Sequence, residues 1–555
     1  MLITQLLVFL LTGTLSFVFI SSFFESSILN TKSNTKSFIN EDANKKEICS
    51  FYKWFSPNTN DEEGKALLKN CSSCHMNYYD EWSNDKHSTS SVNPFFLSIY
   101  SGLTKDNKEV YPGFKLDHPN QNGNCALCHN PEAAIDNNFD VDLTFAKNTN
   151  GISCDFCHKI ESVDQNSLKL GVKGLNIARA IKGNKIVFQK DKTSSCKGLQ
   201  DIRFGPIKDP VQPGKHEELK YNSLYKTSLY CAKCHDGGNG NILIYSTFTE
   251  WLKSPAAKKG VQCQTCHMKP RSETTDNGQQ TVIARSVSAP HASLGANSAI
   301  PIEIASPSAR NDIYSIVDNP KIKHKKRPYN EVHSHSFLTD NHHNFQKEYI
   351  DLKLDATKSK DKVIVTVIVE NNNFGHSFPT GSPMRNAIVV LEAKDKTSEN
   401  LKQTKGPKLP TYAGNLKGKP GKLFAKILEE TSSEYARTHS KKGIEFRKLA
   451  KELGIPAQDW WNVYIAQDTR IKANEKDIST FEFALGTVIA RSVSDPHASL
   501  GANSAIPIEI ASPSARNNIQ ITAKLIWRNT WYGLAKIKGF DLEEDLIKEE
   551  RLVLN

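Results

Sequence analysis

The sequence predicts an α+β protein in two parts, a first part of short helices and loops followed by a β-sandwich. Two observations carry this prediction. Five C-x-x-C-H motifs fall between Cys71 and His267, and beyond Glu348 the chain changes to alternating apolar and polar residues rich in β-branched side chains. The 555 residues have room for several domains, yet only 38% are hydrophobic. A chain so lightly cored for its length is expected to fill part of its interior with something other than side chains. The formal charge of +11 reads as a lysine-rich solvated surface. No basic run interleaved with aromatics occurs, so nucleic acid is not an expected partner.

Residues 1–24 begin with an uncharged apolar run, Leu2 to Phe24, long enough for an export signal or a membrane anchor. Neither a basic residue before it nor an A-x-A site after it is present, so both readings stand: a cleaved signal, or membrane association through the N-terminus. Both place the remainder outside the cytoplasm. Residues 25–48 are polar and read as a tether.

Residues 49–345 hold the motifs. They are Cys71, Cys74, His75; Cys125, Cys128, His129; Cys154, Cys157, His158; Cys231, Cys234, His235; and Cys263, Cys266, His267. On one helical turn, residues i and i+3 share a face. Two thiols so placed reach the two vinyl groups of one porphyrin, and the histidine beside them can ligate its iron. This is the attachment pattern of c-type haem. Zinc ribbons do not need a histidine after every second cysteine, and neither does a disulfide scaffold. The expected cofactors are therefore five covalently attached haem c groups. Of the twelve cysteines only Cys49 and Cys196 fall outside the motifs, and they could form one disulfide.

A haem that only passes electrons usually has both axial positions filled by the protein. Methionine is a poor source here: the chain has four, and Met76 and Met268 directly follow proximal histidines. Histidine is therefore expected on the distal side, which implies low potentials. Twelve of the 17 histidines are not proximal. His87 ends "YYDEWSNDKH", His118 and His216 precede the second and fourth motifs, His335 follows the fifth in "NEVHSHSF", and His376 lies in "FGHSFPTG". These five are the distal candidates. His376 stands out because Gly375, Gly381 and Pro379 would hold its loop in one shape. A docked loop of this kind would explain why a sandwich is fused to a haem-binding region.

The stretches "YYDEWSNDKHS", "NCALCHNPEAA", "GISCDFCHKI", "SLYCAKCHD" and "VQCQTCHMKP" resemble exported multihaem c-type cytochromes of the cytochrome c-554 and c-prime type. These are related to tetrahaem electron carriers of ammonia oxidisers and, more distantly, to pentahaem nitrite reductases. "NNNFGHSFPTGSPMRNAIVVLEAKD" and "DTRIKANEKDISTFEF" resemble the β-rich C-terminal domain found in many such proteins. The resemblance spans Cys49 to Trp531 and implies that His87 is a distal ligand. It departs from the nitrite reductases in lacking their C-x-x-C-K haem motif, which counts against that activity.

Residues 346–555 are expected to form the sandwich, with strands in "YIDLKLDATKSKDKVIVTVIVENN", "RNAIVVLEAKD", "DISTFEFAL" and "NIQITAKLIWRNTW". A helical insertion is expected over "AKILEETSSEYARTHSKKGIEFRKLAKELG". One 31-residue segment occurs twice, at 281–311 and 487–517, differing only at Ala289 against Asp495. The copies have no lysine and no aromatic residue, and their flanks share nothing. Solenoid repeats are tandem, and these are not. They read as translated copies of a repetitive DNA element, tolerated in surface loops where added length costs little.

Three functions follow from these readings. The first is an electron relay between redox partners, quinol-linked proteins or other cytochromes. The second is an oxidoreductase with one open haem acting on a small nitrogen or sulfur compound. The third is a structural surface cytochrome or filament subunit. The motif count predicts that the intact mass of the matured protein exceeds that of the polypeptide by five haems; an increment of four or fewer would refute it.

Overall fold

In the first half, each C-x-x-C-H motif folds as a single helical turn. His75 N–H donates to Cys71 O at 2.8 Å after a 3-10 turn at Cys71–Ser73, and short helices span Ala126–His129, Cys154–His158, Ala232–His235 and Cys263–His267. Such turns are too short to persist alone, so their caps matter. Ser153 Oγ accepts from Phe156 N–H at the start of the third, and Gln262 and Thr265 form a reciprocal capping box at the start of the fifth. The computed structural model describes residues 54, 71–141, 151–167, 169–191, 196–212, 217–239, 242–271, 313–314, 325–328, 331–337, 342–372, 374–430, 441–458, 463–485 and 518–555. The N-terminal apolar run, the polar tether and both copies of the duplicated segment lie outside these residues.

The first half, expected to be mostly short helices and loops, also contains a sheet. Strands β1 (Ile160–Val163), β2 (Leu175–Lys182), β3 (Lys185–Phe188), β4 (Leu199–Gly205) and β5 (Glu217–Tyr221) form it, with β2 at its centre and β4 and β5 parallel. Its hairpin signal is the Gly183-Asn184 pair between "IARAI" and "KIVF". Ala178, Ile181, Ile202 and Phe204 pack together on it. A hairpin of β6 (Asp236–Asn239) and β7 (Ile242–Ser246) follows the fourth motif, and β8 (Ile313–Tyr314) pairs with β9 (Arg327–Pro328).

The second half is a two-sheet sandwich. One sheet has the order β10 (Ile350–Lys358), β11 (Lys362–Asn371), β16 (Lys476–Ala484), β13 (Lys402–Lys405). The other has the order β15 (Val463–Asp468), β14 (Gly421–Glu430), β12 (Asn386–Lys394), β17 (Ile519–Arg528), β18 (Glu544–Leu554). The period-two pattern decides the packing. Val363, Val365, Val367 and Val369 of β11 face Ala387, Val389, Leu391 and Ala393 of β12 in one core. The alternate residues Ile388 and Val390 face outward but are also buried, against Ala450, Trp531 and Leu534. Those residues belong to the helices Lys441–Leu453 and Tyr532–Lys538 and to the turn before the second. The expected helical insertion is therefore shorter than its sequence suggested. "AKILEE" is the end of β14, because its alternating residues Ala425 and Ile427 complete the outer face of the sheet.

Residues 49–555 make one compact unit. Phe95 and Ile99, on the helix Pro94–Ser101, pack into the outer cluster of the sandwich. Ile244 of β7 joins Leu428 and Val463 in another shared cluster. Two buried lysines of the second half cap carbonyls of the first. Lys538 Nζ donates to Ser98 O and Val110 O, and Lys426 Nζ donates to Leu243 O and Ile244 O. Burial pushes their pKa values down to about 7 and about 8.

The second duplicated copy lies in the connection from β16 to β17, which crosses from one sheet to the other. Deleting Thr487–Asn517 leaves Leu485, Gly486 and Asn518 to span sheets about 10 Å apart, within reach of extended chain. The expected outcome is a folded protein with unchanged haem content and reduction behaviour. Loss of a low-spin haem signal on deletion would show that the segment contributes a ligand.

Candidate haem-binding sites

The motifs are numbered here as sites 1 to 5 in chain order. Their ten cysteines are free thiols, whereas Cys196 is disulfide-bonded. Cys49 lies outside the described residues. Six of the ten thiols meet across motifs. Cys71 of site 1 lies against Cys154 of site 3, Cys128 of site 2 against Cys234 of site 4, and Cys231 of site 4 against Cys263 of site 5. Sites 3 and 4 are joined through Tyr225 and Tyr230, whose hydroxyls donate to Cys157 O at 2.7 and 2.8 Å. Tyr230 immediately precedes Cys231. The five motifs thus form one connected cluster, running from site 1 through site 3 to site 4, where sites 2 and 5 branch.

Ligation of iron requires a neutral imidazole with a free lone pair. A hydrogen bond from the other ring nitrogen fixes which nitrogen has it. Nδ1 of His158 lies 2.7 Å from Phe204 O, Nδ1 of His129 3.2 Å from Ser90 O, and Nδ1 of His376 3.1 Å from Ser377 O. His335 Nδ1 lies 3.3 Å from His333 O, and His333 Nδ1 2.6 Å from Met268 O. A carbonyl only accepts, so Nδ1 carries the proton and Nε2 keeps its lone pair. His87 differs: its Nδ1 lies 2.6 Å from the carboxylate of Asp85, which is 3% exposed and also accepts from His87 N–H. Burial disfavours the charged form of five of the histidine rings. It lowers the pKa values of His129, His158 and His376, and pushes those of His235 and His335 down to about 3.

Three pairs of imidazoles then face each other. His158 and His335 have ring centroids 6.3 Å apart and planes 23° apart, and His267 and His376 repeat the same values. His235 and His87 are 6.2 Å apart at 70°. An iron bound at about 2 Å by Nε2 on each side separates opposed ring centroids by roughly 6 Å. The chain therefore fits a haem iron between each pair, with the motif thiols of sites 3, 5 and 4 beside them.

Of the distal candidates, the structure brings His335, His376 and His87 opposite proximal histidines. His118 caps the helix Phe114–Asp117, with its ring 4.9 Å from that of Phe114. His216 lies outside the described residues. Phe96 lies flat on the ring of His129 at 3.9 Å and 5°. Two further residues shape the sites without being among the sequence candidates. Asp85 has a local signal, a carboxylate two residues before His87. Glu250, which holds the His376 loop, has none, because its partners in that loop are more than 120 residues away in sequence.

Residues 70–159 match the profile of the family described as cytochrome c554 and c-prime. A penta-heme cytochrome c552 from Thermochromatium tepidum is similar in structure, with a TM-score of 0.49 and 17% sequence identity over 87% of this chain and 97% of that chain. No curated protein matches significantly in sequence.

Proposed function

We propose that this chain, whose residues 70–159 match the cytochrome c554 and c-prime family, is a multihaem c-type cytochrome that holds five haem c groups and relays electrons between redox partners outside the cytoplasm. The observation that carries this reading is the set of opposed imidazole pairs. His158 with His335, His267 with His376, and His235 with His87 would hold an iron from both sides, which would leave a haem able to exchange electrons but not to bind substrate. When bound, each haem supplies one-electron exchange at iron. The protein's part is to hold the imidazoles neutral and fixed, so that little reorganises when the charge at iron changes.

The contacts between motifs suggest the route. Electrons entering at site 1 would pass to site 3 and on to site 4, with sites 2 and 5 as branches. The partners would be other cytochromes or quinol-linked proteins. No helix among the described residues is long and apolar enough to cross a membrane. The N-terminal apolar run would supply export, anchoring or both.

Two substitutions test the ligand assignments. His376→Ala is expected to convert one low-spin haem to high spin and raise its potential, read by electron paramagnetic resonance and redox titration. An unchanged spectrum in the folded variant would remove His376 from the ligand set. Asp85→Asn is expected to keep every haem low-spin but raise one midpoint potential by on the order of tens of mV, because the distal imidazole loses the anion that strengthens its donation. Identical titration curves for the two proteins would show that Asp85 serves the fold alone.

A further inference from the structure

His376 is carried by the second half of the chain, yet its ring faces His267 of the first half. Something must hold a loop from one half at a fixed distance from a motif in the other. The backbone of the sandwich holds one side of the loop. Asn371 Nδ2 donates to His376 O and Ile471 O, both at 2.9 Å, and Phe378 and Ile471 exchange backbone hydrogen bonds. Gly375, at φ +80, turns the chain just before the histidine.

The other side of the loop meets one carboxylate. Glu250 lies on the helix Thr247–Leu252 of the first half. Its Oε2 accepts from Ser377 N–H at 3.2 Å and from Thr380 Oγ1 at 2.7 Å, on the two arms of the loop. Its Oε1 accepts from Ser246 Oγ at 2.8 Å and from an Arg470 guanidinium nitrogen at 2.6 Å. Arg470 also pairs with Asp468, and Thr247 Oγ1 lies 3.1 Å from Thr380 Oγ1. The side chain of Glu250 is only 11% exposed. The helix is anchored in turn: Thr249 N–H donates to the carboxylate of Asp236, the residue after His235. A continuous path of hydrogen bonds thus runs from the site 4 motif to the loop that faces site 5.

We propose that Glu250 is the positioning residue for His376, holding its imidazole at iron distance opposite His267 by gripping both arms of the "FGHSFPTG" loop. This rests on the reading of His376 as a distal ligand. Burial works against ionisation, but the Arg470 charge and the hydrogen bonds outweigh it, so the group is a carboxylate and accepts all four bonds. Charge-assisted bonds of this kind combine strength with direction. Because the helix bearing Glu250 is tied to site 4, the ligand geometry of site 5 is coupled to the packing of site 4.

The test uses the full haem-loaded protein and four variants besides wild type, His376→Ala among them. Glu250→Ala is expected to retain every haem while one low-spin signal is lost in part to high spin, and added imidazole should restore it. Glu250→Gln keeps the shape and one acceptor, and should shift the same signal and its midpoint potential less far. Lys538→Met cuts a different contact between the halves and should leave all haem signals in place, which separates ligand positioning from general stitching of the halves. If Glu250→Ala does not mature, the Gln variant decides, and an unshifted signal there overturns the proposal. Wild-type haem signals in both Glu250 variants, alongside a high-spin haem in His376→Ala, would overturn the role of Glu250 alone. An all-low-spin His376→Ala would instead overturn the ligand reading beneath it.

Discussion

A histidine can close the coordination of a haem iron only if its ring is neutral, its lone pair is on the right nitrogen and its plane is held in place. Most of this structure serves that requirement. Carbonyls of Ser90, Phe204, His333 and Ser377 take the Nδ1 protons of His129, His158, His335 and His376. Burial removes the competing charged form. The motif turns, the small sheet and the sandwich are the means by which those carbonyls and rings are brought to fixed places.

The sheet of the first half shows how. Phe204 is on β4, and its carbonyl orients the proximal histidine of site 3. The same strand supplies Asp201 and Arg203 to a buried ion network. Lys159 lies 3.2 Å from both Asp155 and Asp201, and Arg203 reaches both carboxylates at 3.1 and 3.0 Å. Asp155 lies inside the "CDFCH" motif itself. A buried network of this kind gains little net stability, since desolvation offsets most of its attraction. Its value is geometric: it locks a one-turn helix, too short to hold itself, against a strand. On the other side of that helix, Glu132 shares a hydrogen bond with Ser153, and burial pushes its pKa up to about 8. The Ser153 hydroxyl donates that bond to the Glu132 carboxyl.

The sandwich has a matching role. Its own core between the two sheets is independent of any haem, made of the alternating valines of β11 and their partners on β12 and β17. That independence is useful. A block with a side-chain core of its own can present one loop to the motif-bearing half. Lys426 and Lys538, both closing carbonyls across the junction, hold the block in register, and Arg470 with Glu250 does the same at the His376 loop.

What is legible in the sequence follows from local physics. A C-x-x-C-H turn specifies its own helical geometry, and a valine at every second position of "VIVTVIV" specifies a strand, so motifs, proximal histidines and the strands β10, β11, β12, β16 and β17 can all be read directly. Glycine and proline around His376 mark a rigid loop, though not the ring it faces. The rest depends on contacts between distant residues. "AKILEE" has a pattern that suits either a helix or an edge of a sheet, and only the cluster with Ala450 and Trp531 decides for the strand. The small sheet is hard to read because its strands are interrupted and two of them pair in parallel. His335 and His333 are two residues apart with the same Nδ1 arrangement, and only the position of His158 shows which of them faces it. Residue types and spacing determine what a site can bind. Which imidazole lies near which is a long-range packing result, because the paired rings come from stretches far apart in sequence.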